Sequence, residues 1–90
     1  MRKFVLECVL PGAGNMTSEE IENLRHDALD AISKSGKNYI WFESFVTEDK
    51  VYCIHGAETV QDVRNLINYI NLPVNSIEEV KIIIGPTITN

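Results

Sequence analysis

The sequence predicts an α+β domain of β-α-β-β-α-β order, a four-stranded antiparallel sheet with two helices on one face. Three observations predict it: two segments carry apolar residues at helical spacing, four short runs are β-branched or aromatic, and these alternate along the chain in that order. The order is the split β-α-β arrangement, whose usual strand order is 4-1-3-2. Ninety residues make a single domain, 1–90, with one modest core.

Residues 3–10 are β-branched and apolar and end at the turn Pro11-Gly12-Ala13-Gly14. Thr17 with Glu20 three residues later forms a capping box, and Glu19 and Glu20 suit a helix N-terminus. Ile21, Leu24, Ala28, Ala31 and Ile32 then repeat at helical spacing until Ser35-Gly36, a left-handed cap. Residues 39–46 read as a strand, Thr47-Glu48-Asp49-Lys50 as a turn, and 51–55 as the returning arm. Thr59 caps a second helix carrying Val60, Val63, Leu66, Ile67 and Ile70, which Leu72-Pro73 ends. Residues 77–84 are expected to form the last strand, before Gly85-Pro86.

Composition removes several function classes. The formal net charge is −5 and the cations are scattered, so no stripe neutralises phosphates and no nucleic acid is expected as a partner. Two basic residues before an apolar run imitate a signal peptide, but the run is short and Glu7 interrupts it. No stretch has transmembrane length, so a cytoplasmic protein without a membrane partner is expected. Cys8 and Cys53 fit no disulfide or zinc-finger spacing. In a reducing compartment they read as buried small hydrophobes.

Strand alternation sorts side chains by face. With Glu48-Asp49 as a two-residue loop, Phe42, Ser44 and Val46 share a face with Val51, Cys53 and His55. Phe4, Leu6, Cys8 and Leu10 join them, with Val80, Ile82 and Ile84 from the last strand; this set is assigned to the helix-covered core. The opposite face would carry Val5, Val9, Trp41, Phe45, Tyr52, Ile54 and Ile83. Such an apolar surface on a solvent-facing sheet points to a homodimer that pairs two sheets about a two-fold axis.

Glu7 and Glu43 are the polar exceptions on that second face. Enclosed between two sheets, either would have a raised pKa and serve as a general base or a metal ligand. At the interface rim, either would instead be solvated or paired with Lys3 or Lys81. Trp41, Phe45 and Tyr52 would wall a cleft for a flat apolar ligand, or simply pack the interface. His55, at the end of the third strand, is an acid/base or ligand candidate beside a structural reading. The candidate ligand-binding set is therefore Glu7, Trp41, Glu43, Phe45, Tyr52 and His55.

For a metal, Cys8, His26, Cys53 and His55 are the candidates, although no pair has a recognised ligand spacing. Cys8 and Cys53 fall on one face of adjacent strands, which fits a soft-metal or redox pair as well as two inert buried thiols. His26 lies off the apolar stripe of the first helix and reads as a surface residue. Pro11-Gly12-Ala13-Gly14 lacks the Gly-Lys-Ser/Thr ending of a phosphate loop and reads as a turn.

Several stretches resemble a family of small bacterial proteins described as nickel-responsive or nickel-binding. They are Pro11-Gly12-Ala13-Gly14 followed by Met16-Thr17, Trp41-x-x-Ser44-Phe45-Val46-Thr47, Lys50-Val51-Tyr52-Cys53, Leu72-Pro73, Ile77-x-Glu79-Val80 and Pro86-Thr87. The resemblance covers almost the whole chain and implies a ferredoxin-like fold in a dimeric α/β-barrel assembly. It also implies nickel or another divalent metal as a cofactor. The metal-binding branch looks richer in histidine near the end of the first strand and in both helices. The corresponding positions here read Cys8-Val9, His26 and Leu66, while Cys53 and Glu79 match.

The function expected from these features is a non-enzymatic dimeric binding protein that holds a metal ion or small ligand in the cleft between the sheets. The alternative is a small cofactor-independent enzyme resembling monooxygenases or isomerases of the same barrel class, with Glu43 or His55 as the proton acceptor.

Overall fold

The computed structural model describes residues 1–87. Strand β1 (Arg2–Val9) leads through a 3₁₀ turn (Ala13–Asn15) into helix α1 (Ser18–Ser35). The hairpin β2 (Tyr39–Val46) and β3 (Lys50–Ala57) follows, then helix α2 (Val60–Tyr69) and strand β4 (Val74–Glu79). All pairings are antiparallel and the sheet order is β2-β3-β1-β4, the ferredoxin-like 4-1-3-2 order read from the other edge.

The helix boundaries follow the local chemistry. Thr17 accepts from the Glu20 backbone N–H at 3.1 Å, and the Glu20 carboxylate accepts from the Thr17 N–H at 2.9 Å. The expected capping box is therefore complete, and Gly36, with φ +66°, closes α1. Thr59 accepts from the Asp62 N–H at 3.1 Å and starts α2. The turn at Gly12 (φ +78°) docks on the hairpin loop: Gly14 N–H donates to the Glu48 carbonyl at 3.0 Å. A Cβ at Gly14 would meet the Thr47 carbonyl oxygen at 3.0 Å, so the close approach needs glycine.

Phe4, Leu6, Cys8, Ala31, Tyr39, Cys53, Val63, Leu66 and Ile67 form the buried core between the sheet and the helices. The two helices differ in how they use it. α2 buries Val63, Leu66 and Ile67, whereas α1 buries Ala31 alone. Ile21 and Leu24, on the N-terminal half of the α1 stripe, remain 46% and 41% exposed.

Two sequence expectations are corrected. The last strand runs over Val74–Glu79 rather than 77–84, because its partner runs out. Phe4 opposes Glu79 and the Val80 N–H donates to the Lys3 carbonyl at 2.8 Å, so β1 offers almost nothing beyond Val80 to pair with. Val74 and Ile77 pack on the core instead, while Ile82 and Ile84 are exposed and Val80 is half-buried.

The second correction concerns β2. The hairpin register holds from Val46↔Val51 to Glu43↔Ile54, then slips by one residue so that Trp41 opposes His55 and Tyr39 opposes Ala57. The β-bulge at Phe42 reverses the facing of every residue before it. Trp41 comes to the helix side and Tyr39 enters the core. Phe42, expected in the core, is exposed on the open face with Lys3 Nζ 4.6 Å above its ring.

Candidate functional site

The N-terminal half of α1 stands off the sheet over a cavity of about 310 Å³. Ile21, Leu24 and Ala28 form its roof, Leu10, Met16, Val46, Val51, Ile70 and Leu72 its apolar walls. Its polar groups are few and lie on the sheet side: Cys8, Trp41, Ser44, Cys53 and His55, with Arg25 and Asp27 also on its lining. An apolar pocket with a small convergent polar set is the usual form of a small-ligand site.

Three polar side chains, His55, Ser44 and Cys8, surround Cys53. The Tyr39 hydroxyl is 2.5 Å from His55 Nδ1 in a buried contact, with the two rings edge to face. Burial, then the negative surroundings of Cys53 and Asp62, push the Tyr39 phenol well above its ordinary value, so it stays protonated and donates. His55 therefore accepts at Nδ1 from Tyr39. Trp41 Nε1 donates to Ser44 Oγ at 2.9 Å, and Ser44 opposes Cys53 across β2 and β3. Cys8 is the diagonal neighbour of Cys53 across β1 and β3.

These neighbours set the two thiols apart. Cys53 is drawn below the ordinary thiol range, first by the Cys8 S–H bond and further by His55 and Ser44, against the opposing pull of burial. Cys8 is driven upward by its bond to Cys53, by burial, and by the charges of Cys53 and Glu7.

The sequence-derived ligand set does not come together. Trp41 and His55 line the cavity, while Glu7, Glu43, Phe45 and Tyr52 lie on the far face of the sheet or half-buried along it. Glu7 accepts from the Asn75 side-chain amide and pairs with Lys50 Nζ at 3.5 Å, rather than with Lys3 or Lys81. The Asn75 donor, chiefly, holds its carboxyl below the ordinary range, opposite to the raised value that an enclosed general base requires. Of the metal candidates, Cys8, Cys53 and His55 are buried together, and His26 is exposed on α1. Glu79 pairs with Arg2 at 2.7 Å on the surface.

Tyr39 and Ser44 were not singled out by sequence reasoning. Strict alternation places Tyr39 on the open face, and nothing in the local sequence marks the bulge that reverses it. Ser44 carried a signal, as the single hydroxyl among apolar neighbours on its face.

Comparison with known proteins places this geometry. A search of curated proteins finds no match. Among solved structures, the crystal structure of SCO4226 from Streptomyces coelicolor A3(2) superposes with a TM-score of 0.71. It covers 87% of this chain and 94% of that one at 17% identity, a likeness that speaks for the fold. A family profile described as "Nickel responsive protein SCO4226-like" matches residues 4–80, most of the chain and all four strands except the first two residues of β1. The chain belongs to the SCO4226-like family of nickel-responsive proteins.

Proposed function

We propose that this chain is a non-enzymatic binding protein that takes a small, mainly apolar ligand in the cavity beneath α1 and works as a homodimer. The observation that carries the reading is the cavity itself. α1 holds Ile21 and Leu24 over open space instead of packed side chains, and the only polar groups beneath them converge on Cys53. The homodimer is supported by the open face of the sheet, where Ile40, Phe42 and Phe45 are exposed beside half-buried Val5, Tyr52 and Ile54. The ligand site thus moves from the cleft between sheets to the helix-covered side.

The family description speaks of a response to nickel. Ni²⁺ suits imidazole and tetragonal nitrogen or oxygen sets. Here His55 is tied to Tyr39, His26 projects from the exposed side of α1, and among the described residues no three His, Cys, Asp or Glu side chains are placed to hold an ion. The residues do not fit nickel, and the binding reading does not pass through it. The enzyme alternative is weakened because the sheet separates Glu43 from His55, whose Nδ1 is engaged by Tyr39.

The test is binding of 8-anilinonaphthalene-1-sulfonate to the native protein and to two variants. Ala28→Phe fills the cavity from its roof and is expected to abolish binding, while Phe45→Glu, on the open face, retains it. Binding that survives Ala28→Phe and disappears in Phe45→Glu would place the ligand between sheets and overturn this reading.

A further inference from the structure

We infer that Cys8 and Cys53 form a two-coordinate site for a soft monovalent metal ion, of the copper(I) or silver(I) class, on the sheet side of the cavity beneath α1. The site rests on the same cavity as the ligand-binding reading, and it names one chemical class that cavity admits.

Register places the two thiols together. Leu6 opposes Cys53 and Cys8 opposes Val51, so the cysteines are diagonal neighbours on one face of β1 and β3. Both are buried and unbridged, and both line the cavity, which supplies a route for an ion. Directly opposed cysteines suit a disulfide, whereas Cα atoms of diagonal neighbours lie about 7–8 Å apart, beyond comfortable bridging range. An ion between the sulfurs lengthens the link by the amount that a disulfide lacks.

Coordination number selects the ion. Zinc in a structural site and nickel both require more ligands than two, and no third carboxylate, imidazole or thiol completes such a set among the described residues. Soft thiolates favour copper(I), for which two sulfurs suffice. On binding, two S–metal bonds form, the two S–H bonds break, and both protons leave to solvent, so that the bound site carries one net negative charge. His55 and Ser44 flank Cys53 on the cavity lining, and Met16 adds a thioether to it.

The experiment is anaerobic titration of the reduced protein with copper(I) against a chromophoric copper(I) chelator, repeated with nickel(II). One copper(I) per chain is expected, held more than about a hundredfold less tightly in both Cys8→Ser and Cys53→Ser and unchanged in His26→Ala. X-ray absorption of the loaded native protein supplies a readout independent of the variants: a first shell of two sulfurs supports the site, and one of nitrogen or oxygen atoms overturns it. Failure to compete for copper(I), or tighter binding of nickel(II), also overturns it. If the native protein holds 8-anilinonaphthalene-1-sulfonate but not copper(I), the ion site fails while the cavity reading stands.

Discussion

Cys8, chiefly, with His55 and Ser44, draws the Cys53 thiol below its ordinary range, against burial that alone would keep it protonated. The consequence is a pH dependence of stability with two limbs. Cys53, lowered in the fold, contributes stability that is fully present above the unfolded thiol value of about 8.5 and is lost as pH falls toward its folded value. Cys8, raised in the fold, contributes stability that is fully present below about 8.5 and is lost as pH rises beyond it. The stability difference between the native chain and the Cys8→Ala/Cys53→Ala double variant should therefore peak near the ordinary thiol value, with a slope of at most about 1.4 kcal/mol per pH unit on either side. Urea unfolding from pH 6.5 to 9.5 measures it, and a difference independent of pH would contradict the opposed shifts of the two thiols. The cysteine pair itself was legible in the sequence, since alternation put both residues on one face of neighbouring strands. Its polar neighbours were not, because Tyr39 reaches His55 only through the bulge three residues further along β2.

At the scale of elements, α1 has the weaker hold on the molecule. Its eighteen residues bury Ala31 alone, so its end chemistry carries more of its stability than the caps of α2 do. Thr17→Ala removes the side-chain half of the capping box, the bond from the Glu20 N–H to Thr17 Oγ1, and should cost about 1 kcal/mol. Hydrogen exchange of α1 amides should quicken roughly fivefold, while amides of β1 and β3 exchange as before. Equal acceleration in helix and sheet would mean that α1 opens only with the whole domain. A helix that opens locally is also a practical roof for a cavity, because ligand entry then needs no unfolding of the sheet. The cap was readable from Thr17 and Glu20 as a local motif. The gap beneath the helix was not, since a stripe of Ile21, Leu24 and Ala28 looks the same over a packed core as over open space.

For the whole molecule, the proposed homodimer rests on the open face of the sheet. Phe45 is 53% exposed and Phe42 47%, on the sheet face away from the helices. Sedimentation of the native chain should give a dimer, and Phe45→Glu should weaken it at least about tenfold by placing an unpaired charge in each copy of a two-fold interface. A native chain that sediments as a monomer would remove the assembly from the proposed function. The prediction survives the exchange of Trp41 for Phe42 on this face, because the bulge moves one large aromatic residue away and brings another in.

Sequence alone determined the element order, both helix caps, the hairpin turn and the sheet topology. Each of these is written in residues close together in the chain, through periodicity, capping spacing and turn chemistry. Tertiary structure decided the rest. The length of β1 ended β4 at Glu79, so the apolar run that follows never became a strand. A single extra residue in β2 sent Trp41 and Tyr39 to the helix side, and the stand-off of α1 left a cavity there. Pairing limits, register slips and voids depend on partners distant in sequence, and a period-two pattern carries no record of where it will slip.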